Sequence, residues 1–150
     1  MTDLFPTATA TMATGTLAIE LAIAGLLVVG MFVVRRGHVR AHMIIQSSMV
    51  LVNIPIVLVL MMPYFLQYVW PGLPTDVGQA YFLWPTVMLC AGAVAEALGV
   101  YILLVAGTTL IPERWRFRRY KLWMRTELIL WWAVVLAGVA TYYTWWVATV

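Results

Sequence analysis

Cysteine occurs once in this 150-residue chain, as Cys90, and histidine twice, as His38 and His42. One thiol cannot close an internal disulfide or supply a cysteine pair for copper or zinc. Cys90 is expected to pack as a small apolar residue. Charge is scarce too, at 10% of residues, where a soluble domain of this length needs a far more polar surface. No phosphate-binding glycine loop and no nucleophile triad occur. Ser47 and Ser48 have no base near them except His42. Covalent chemistry is therefore not expected, and the chain reads as a non-enzymatic protein.

What fills the chain instead is apolar: 64% of residues are hydrophobic and the mean hydropathy is +0.94. A helix needs about 20 apolar residues to cross the hydrocarbon core. Four segments qualify, 15–34, 43–68, 81–110 and 126–150. They are continuous rather than alternating and too long for strands of a membrane barrel. The expected fold is an all-α integral membrane protein, a four-helix transmembrane bundle running up-down-up-down as a single domain over 1–150. Residues 1–16 carry no Lys or Arg, so they lack the basic start of a cleaved signal peptide, and helix 1 is expected to be retained.

All nine Lys and Arg residues lie in two short segments. The first holds Arg35, Arg36 and Arg40; the second holds Arg114, Arg116, Arg118, Arg119, Lys121 and Arg125. Basic loops stay on the cytoplasmic side of a bacterial inner membrane, beside anionic headgroups. Both termini and the loop 71–79, with Asp3 and Asp76, then face outward. Lipid contact accounts for all nine cations, and nucleic-acid binding is not implied.

Proline and aromatic residues punctuate the spans. Pro55 should kink helix 2, which is expected to end near Pro63, and Pro112 should stop helix 3. An outer aromatic belt is expected from Phe65, Tyr68, Trp70, Tyr81, Phe82, Trp84, Tyr142, Tyr143, Trp145 and Trp146. An inner belt is expected from Trp115, Phe117 and Trp123. Some of these rings could instead stack on a quinone or porphyrin. Small residues at four-residue spacing mark expected helix contacts: Ala91, Ala95 and Gly99; Ala133, Ala137 and Thr141; Ala18 and Ala22. Two similar hairpins, each with a Glu and a basic loop, fit either an ancestral duplication or two hairpins under the same membrane rules.

The basic edges also serve as a depth ruler, at about 1.5 Å per helical residue. Glu20, Asn53 and Glu96 all fall roughly 20 Å from the cytoplasmic edge, and Thr141 lies at a similar depth. Each helix thus contributes one polar side chain to a common layer. An ionisable group at that depth costs several kcal/mol and points to function. Two carboxylates there could share a proton, or bind a metal or a quinone hydroxyl; alternatively they join the helices by hydrogen bonds. Glu127, close to Arg125, is expected to pair with a loop arginine. His38, His42, Gln46, Met49 and Asn53 share one helical face. The two histidines could ligate a metal or haem, or serve as interfacial polar residues; no third His or Cys completes a site.

The second basic segment reads Tyr120, Lys121, Leu122, Trp123, Met124, Arg125, then Trp131 and Gly138 to Tyr142. This resembles the last-helix pattern of small four-helix bacterial membrane proteins of the CtaM type, and 35–48 is similar to their His-containing entry to helix 2. The resemblance covers roughly residues 15–150 and implies maturation of haem-copper terminal oxidases. His42, or His38, would correspond to a family histidine handling haem or copper; Tyr120, and Glu96 or Ala95, stand where others fall. The expected role is an accessory or assembly subunit of a larger membrane electron-transfer complex. A small quinone- or haem-binding redox protein and a proton or small-solute carrier are the alternatives, the last as a homo-oligomer.

Overall fold

The fold is seen in a computed structural model that describes residues 7–116 and 119–148. Asp3, Phe117 and Arg118 lie outside the described residues. Among those described, four helical spans are long and apolar enough to cross a membrane. They are α1, Thr7–Arg35; α2, Val39–Asp76; α3, Ala80–Gly107; and α4, Tyr120–Val147. The protein is an all-α, multi-pass four-helix bundle.

Each helix boundary has a local cause. Helix α1 ends at a glycine: Gly37 takes φ +85, a left-handed conformation that a side chain would strain. Its N–H reaches the Val34 carbonyl, and the His38 N–H reaches Val33. Those two bonds close the last turn of α1 and turn the chain directly into α2. Helix α2 does not end near Pro63 but continues to Asp76. Pro55 and Pro63 each lack an N–H and crowd a carbonyl one turn back. The chain answers with two wide π turns, Ile56–Met61 and Phe65–Val69. There Met62 donates to Val57 and Trp70 to Phe65, each five residues back. The outer loop is mostly helical as a result, and only 77–79 turn.

Helix α3 stops at Gly107, before the expected Pro112. Thr108 leaves it in extended conformation, with φ −138 and ψ 167. Arg116 then folds back on this connection: Nε donates to Ile111 O at 3.1 Å, and a terminal nitrogen donates to Thr108 O at 2.9 Å. Tyr101 donates to the Trp115 carbonyl. The α3–α4 connection is therefore tied to itself, and α4 starts at Tyr120, earlier than its apolar run.

Helix α1 packs on α2 and α4, and α3 packs on α4 and α2; α3 with α4 is the most extensive pair. The inner part of the core joins Ile23, Leu27, Met49, Val50, Ala95, Trp131 and Val134. A second cluster joins Phe65, Val69 and Trp145 at the other end. Helix α1 faces this core through Glu20, Ile23, Ala24, Leu27 and Gly30, one helical stripe. Ala18 and Ala22 lie off that stripe and face outward, contrary to expectation, as does Ala133. Ala95, Gly99 and Ala137 do lie at helix contacts.

Candidate functional site

A cavity of about 1080 Å³ lies among the four helices, its walls mostly apolar. Glu20, Asn53, Glu96 and Thr141, one from each helix, line it. Three of these are brought into a working arrangement. Asn53 Nδ2 donates to Glu96 Oε2 at 2.8 Å. Glu20 is near enough to Glu96 for their charges to interact. Glu20 is 5% exposed and Asn53 6%, so both are withdrawn from solvent and lipid alike. Thr141 is placed at the cavity, but its hydroxyl donates to Ala137 O at 2.8 Å within its own helix.

The layer is incompletely satisfied. Glu20 Oε2, Asn53 Oδ1 and Glu96 Oε1 are buried without a hydrogen-bond partner among the described residues. Each such atom costs about 1–3 kcal/mol relative to a paired one. Asn53 has already given an amide hydrogen to Glu96. The groups left free on these lining residues are then carboxyl and carbonyl oxygens. A ligand with N–H or O–H donors would complete the layer.

Away from the layer, aromatic rings gather at the cavity's far end. Trp145 stacks on Tyr81 with centroids 4.9 Å apart and an interplanar angle of 19°. Its indole N–H donates to Tyr81 O at 3.0 Å. Tyr64 lies against Tyr68 at 4.7 Å and against Trp145 at 6.3 Å. Phe65 and Trp145 were expected in the interfacial belt; they are buried and form core instead. Trp70 and Tyr143 remain exposed. Tyr64, absent from the expected belt, lines the cavity.

The histidines sit elsewhere. His42 Nδ1 lies 2.9 Å from Gly30 O, and the carbonyl can only accept, so Nδ1 carries the hydrogen. A Cβ on Gly30 would come 3.1 Å from Gln46 Nε2 and 3.5 Å from that ring nitrogen. His42 and Gln46 thus pin α2 to α1 at a point where α1 has no side chain. His38 is exposed ahead of α2. Neither histidine lines the cavity, and no group of three His, Cys, Asp or Glu among the described residues could hold a metal ion. Cys90 is exposed on α3, rather than packed.

Among the cations, Arg35, Arg36, Arg40, Arg114, Arg119, Lys121 and Arg125 are exposed at the helix ends. Arg116 is not; it is half-buried on its own backbone. Glu127 also departs from expectation. It is 9% exposed, and among the described residues no arginine pairs with it. Trp131 Nε1 donates to its Oε1 at 2.8 Å, from one turn further along α4. The signal was present in the sequence, since Glu127 and Trp131 are four residues apart and share a helix face. No family model, curated protein or solved structure matches this chain.

Proposed function

We propose that this protein binds a small lipid-soluble molecule between its helices, and that it does so as a non-enzymatic accessory of a membrane electron-transfer complex. The observation that carries the first part is the cavity lined by Glu20, Asn53 and Glu96, each with one oxygen unpartnered among the described residues. Pockets for small molecules are commonly about 300–1,000 Å³, apolar, with a few convergent polar groups. A quinol suits this one best. One hydroxyl of its ring can donate to an oxygen of this layer, and its tail follows the apolar walls toward Tyr64 and Trp145. Haem suits it less: no histidine lines the cavity, leaving thioethers such as Met61, Met62 and Met88 and tyrosines such as Tyr64 and Tyr142 as axial donors.

A distinct feature supports the accessory role. Gly15, Ala18, Ala22 and Gly25 form a small-residue stripe on the exposed side of α1, and nothing lies within 4 Å of a Cβ built on either glycine. Such stripes let a second membrane helix approach closely. The CtaM-type resemblance agrees with a terminal oxidase as that partner. The cation distribution favours a bacterial cytoplasmic membrane with both basic connections inside.

Binding of an alkyl hydroquinone to protein in nanodiscs, followed by tryptophan fluorescence, tests the ligand. Hydrogen bonds to neutral groups contribute about 0.5–1.5 kcal/mol each. Glu20→Gln with Glu96→Gln should then weaken binding by up to roughly tenfold. Wild-type protein that binds no hydroquinone, or a double variant that binds it equally well, would sink the ligand reading. Isolation in mild detergent tests the partner; a chain that never travels with an oxidase is not its accessory.

A further inference from the structure

We propose that Glu127 is a proton-holding group that passes protons between the basic-loop side of the bundle and Glu96. Three geometric observations meet here. Glu127 is nine-tenths buried, and while Trp131 holds one oxygen, Oε2 has no partner among the described residues. Its Oε1 lies against Gly99 of α3, and Val50 of α2 meets the same glycine, since a Cβ on Gly99 would stand 2.9 Å from that oxygen and 3.0 Å from Val50 Cγ2. Gly99 and Val50 are each three residues nearer the basic connections than Glu96 and Asn53, which are bonded to each other. Glu127 is therefore about one turn, roughly 5 Å, below the Glu96–Asn53 pair.

The surroundings leave few other roles. Glu96 lies within electrostatic reach of both Glu127 and Glu20. The facing side chains of α2 and α4, Val50 and Trp131, do not titrate. Three carboxyls, on α4, α3 and α1, thus stand in sequence from the basic-loop side to the cavity, each with one oxygen unpaired among the described residues. Glycine at 99 is what lets the first of them reach α3 at all.

The transfer is simple to balance. The O–H bond of a protonated Glu127 breaks as an O–H bond forms on the Glu96 carboxylate, directly or through one bridging water. Glu127 carboxylate is then reprotonated by hydronium from the basic-loop side. One proton has moved inward to Glu96, with no change of oxidation state. The use of that proton at the cavity rests on the ligand reading above; the path itself is measurable in empty protein.

Infrared spectra of the full chain in nanodiscs, taken after a switch from H₂O to D₂O, test it. Bands of protonated carboxyls are assigned by their loss in Glu20→Gln, Glu96→Gln and Glu127→Gln. Glutamine at 127 keeps the volume and can still accept the Trp131 hydrogen. It should slow exchange at the Glu96 band by more than an order of magnitude while alkyl hydroquinone binding stays at the wild-type level. Exchange at Glu96 as fast as in wild type overturns the proposal, because protons then enter from the cavity. If Glu127→Gln does not fold, Trp131→Phe leaves the carboxyl in place and frees its oxygen. The Glu127 band should then shift with exchange at Glu96 retained; an unmoved band or lost exchange also overturns it. Failure of hydroquinone binding, measured separately, counts against the ligand alone.

Discussion

Gly99 shows how much one hydrogen in place of a methyl can decide. Alanine there would meet Glu127 Oε1 at 2.9 Å and Val50 Cγ2 at 3.0 Å. Overpacking of that kind costs about 1–3 kcal/mol. Gly99→Ala should lower the thermal unfolding midpoint in detergent. Gly92→Ala makes a useful contrast, since its nearest neighbour is Val134 at 3.9 Å, an ordinary contact. That change should leave the midpoint unchanged or raise it, through lower chain entropy in the unfolded state. Residue by residue, the polar layer was partly legible. Counting from the basic edges placed Glu20, Asn53 and Glu96 at one depth, because depth along a helix is a matter of residue number. Which way a side chain points is not. Glu127 was assigned by depth to the loop arginines, while its helix face turns it toward α3. Ala18 and Ala22 failed for the same reason, as spacing alone does not say which stripe meets a neighbour.

At the scale of elements, the apolar runs located all four spans, but their ends were misplaced wherever a proline was read as a stop. A membrane helix tolerates proline when neighbouring groups take up the freed carbonyls, and α2 runs through Pro55 and Pro63 by widening. Gly107 ends α3 early because Thr108 turns extended and Arg116 captures the carbonyls beyond. The contact between α1 and α2 gives a direct test. His42→Ala removes the hydrogen donated to Gly30 O, a bond contributing about 0.5–1.5 kcal/mol. Denaturation in detergent should show a loss of that size. Hydroquinone binding should be unaffected, because His42 lies outside the cavity. A loss of ligand affinity in this variant would mean that the histidine has a role beyond joining two helices.

For the whole molecule, the separation of charge makes orientation the most accessible property. Arg36 sits between α1 and α2, and Val77 in the turn between α2 and α3, at the opposite end of the bundle; both are exposed. Arg36→Cys and Val77→Cys, each with Cys90→Ser, can be labelled with a membrane-impermeant maleimide on intact cells. Val77→Cys should react and Arg36→Cys should not until the membrane is opened. The reverse pattern would turn the bundle over and place the basic connections outside. The closed ring of helix neighbours and the cavity inside it were not visible in composition or periodicity. They depend on which helix faces meet, which only packing decides.

The two wide turns of α2 also bear on how this chain tolerates changes in length. A π turn holds one residue more than the α turn it replaces. Removing exposed Leu58 from the first should let Ile56–Met61 close to ordinary α geometry, with Asn53 and Phe65 keeping their faces. Removing exposed Val52, in the regular part of the helix, should instead rotate one half against the other by about 100°. That would carry Asn53 away from Glu96 or Phe65 away from Trp145. The stretch after Pro55, like Phe65–Val69, is thus slack in the helix, a place where a residue can be gained or lost without changing what faces the cavity.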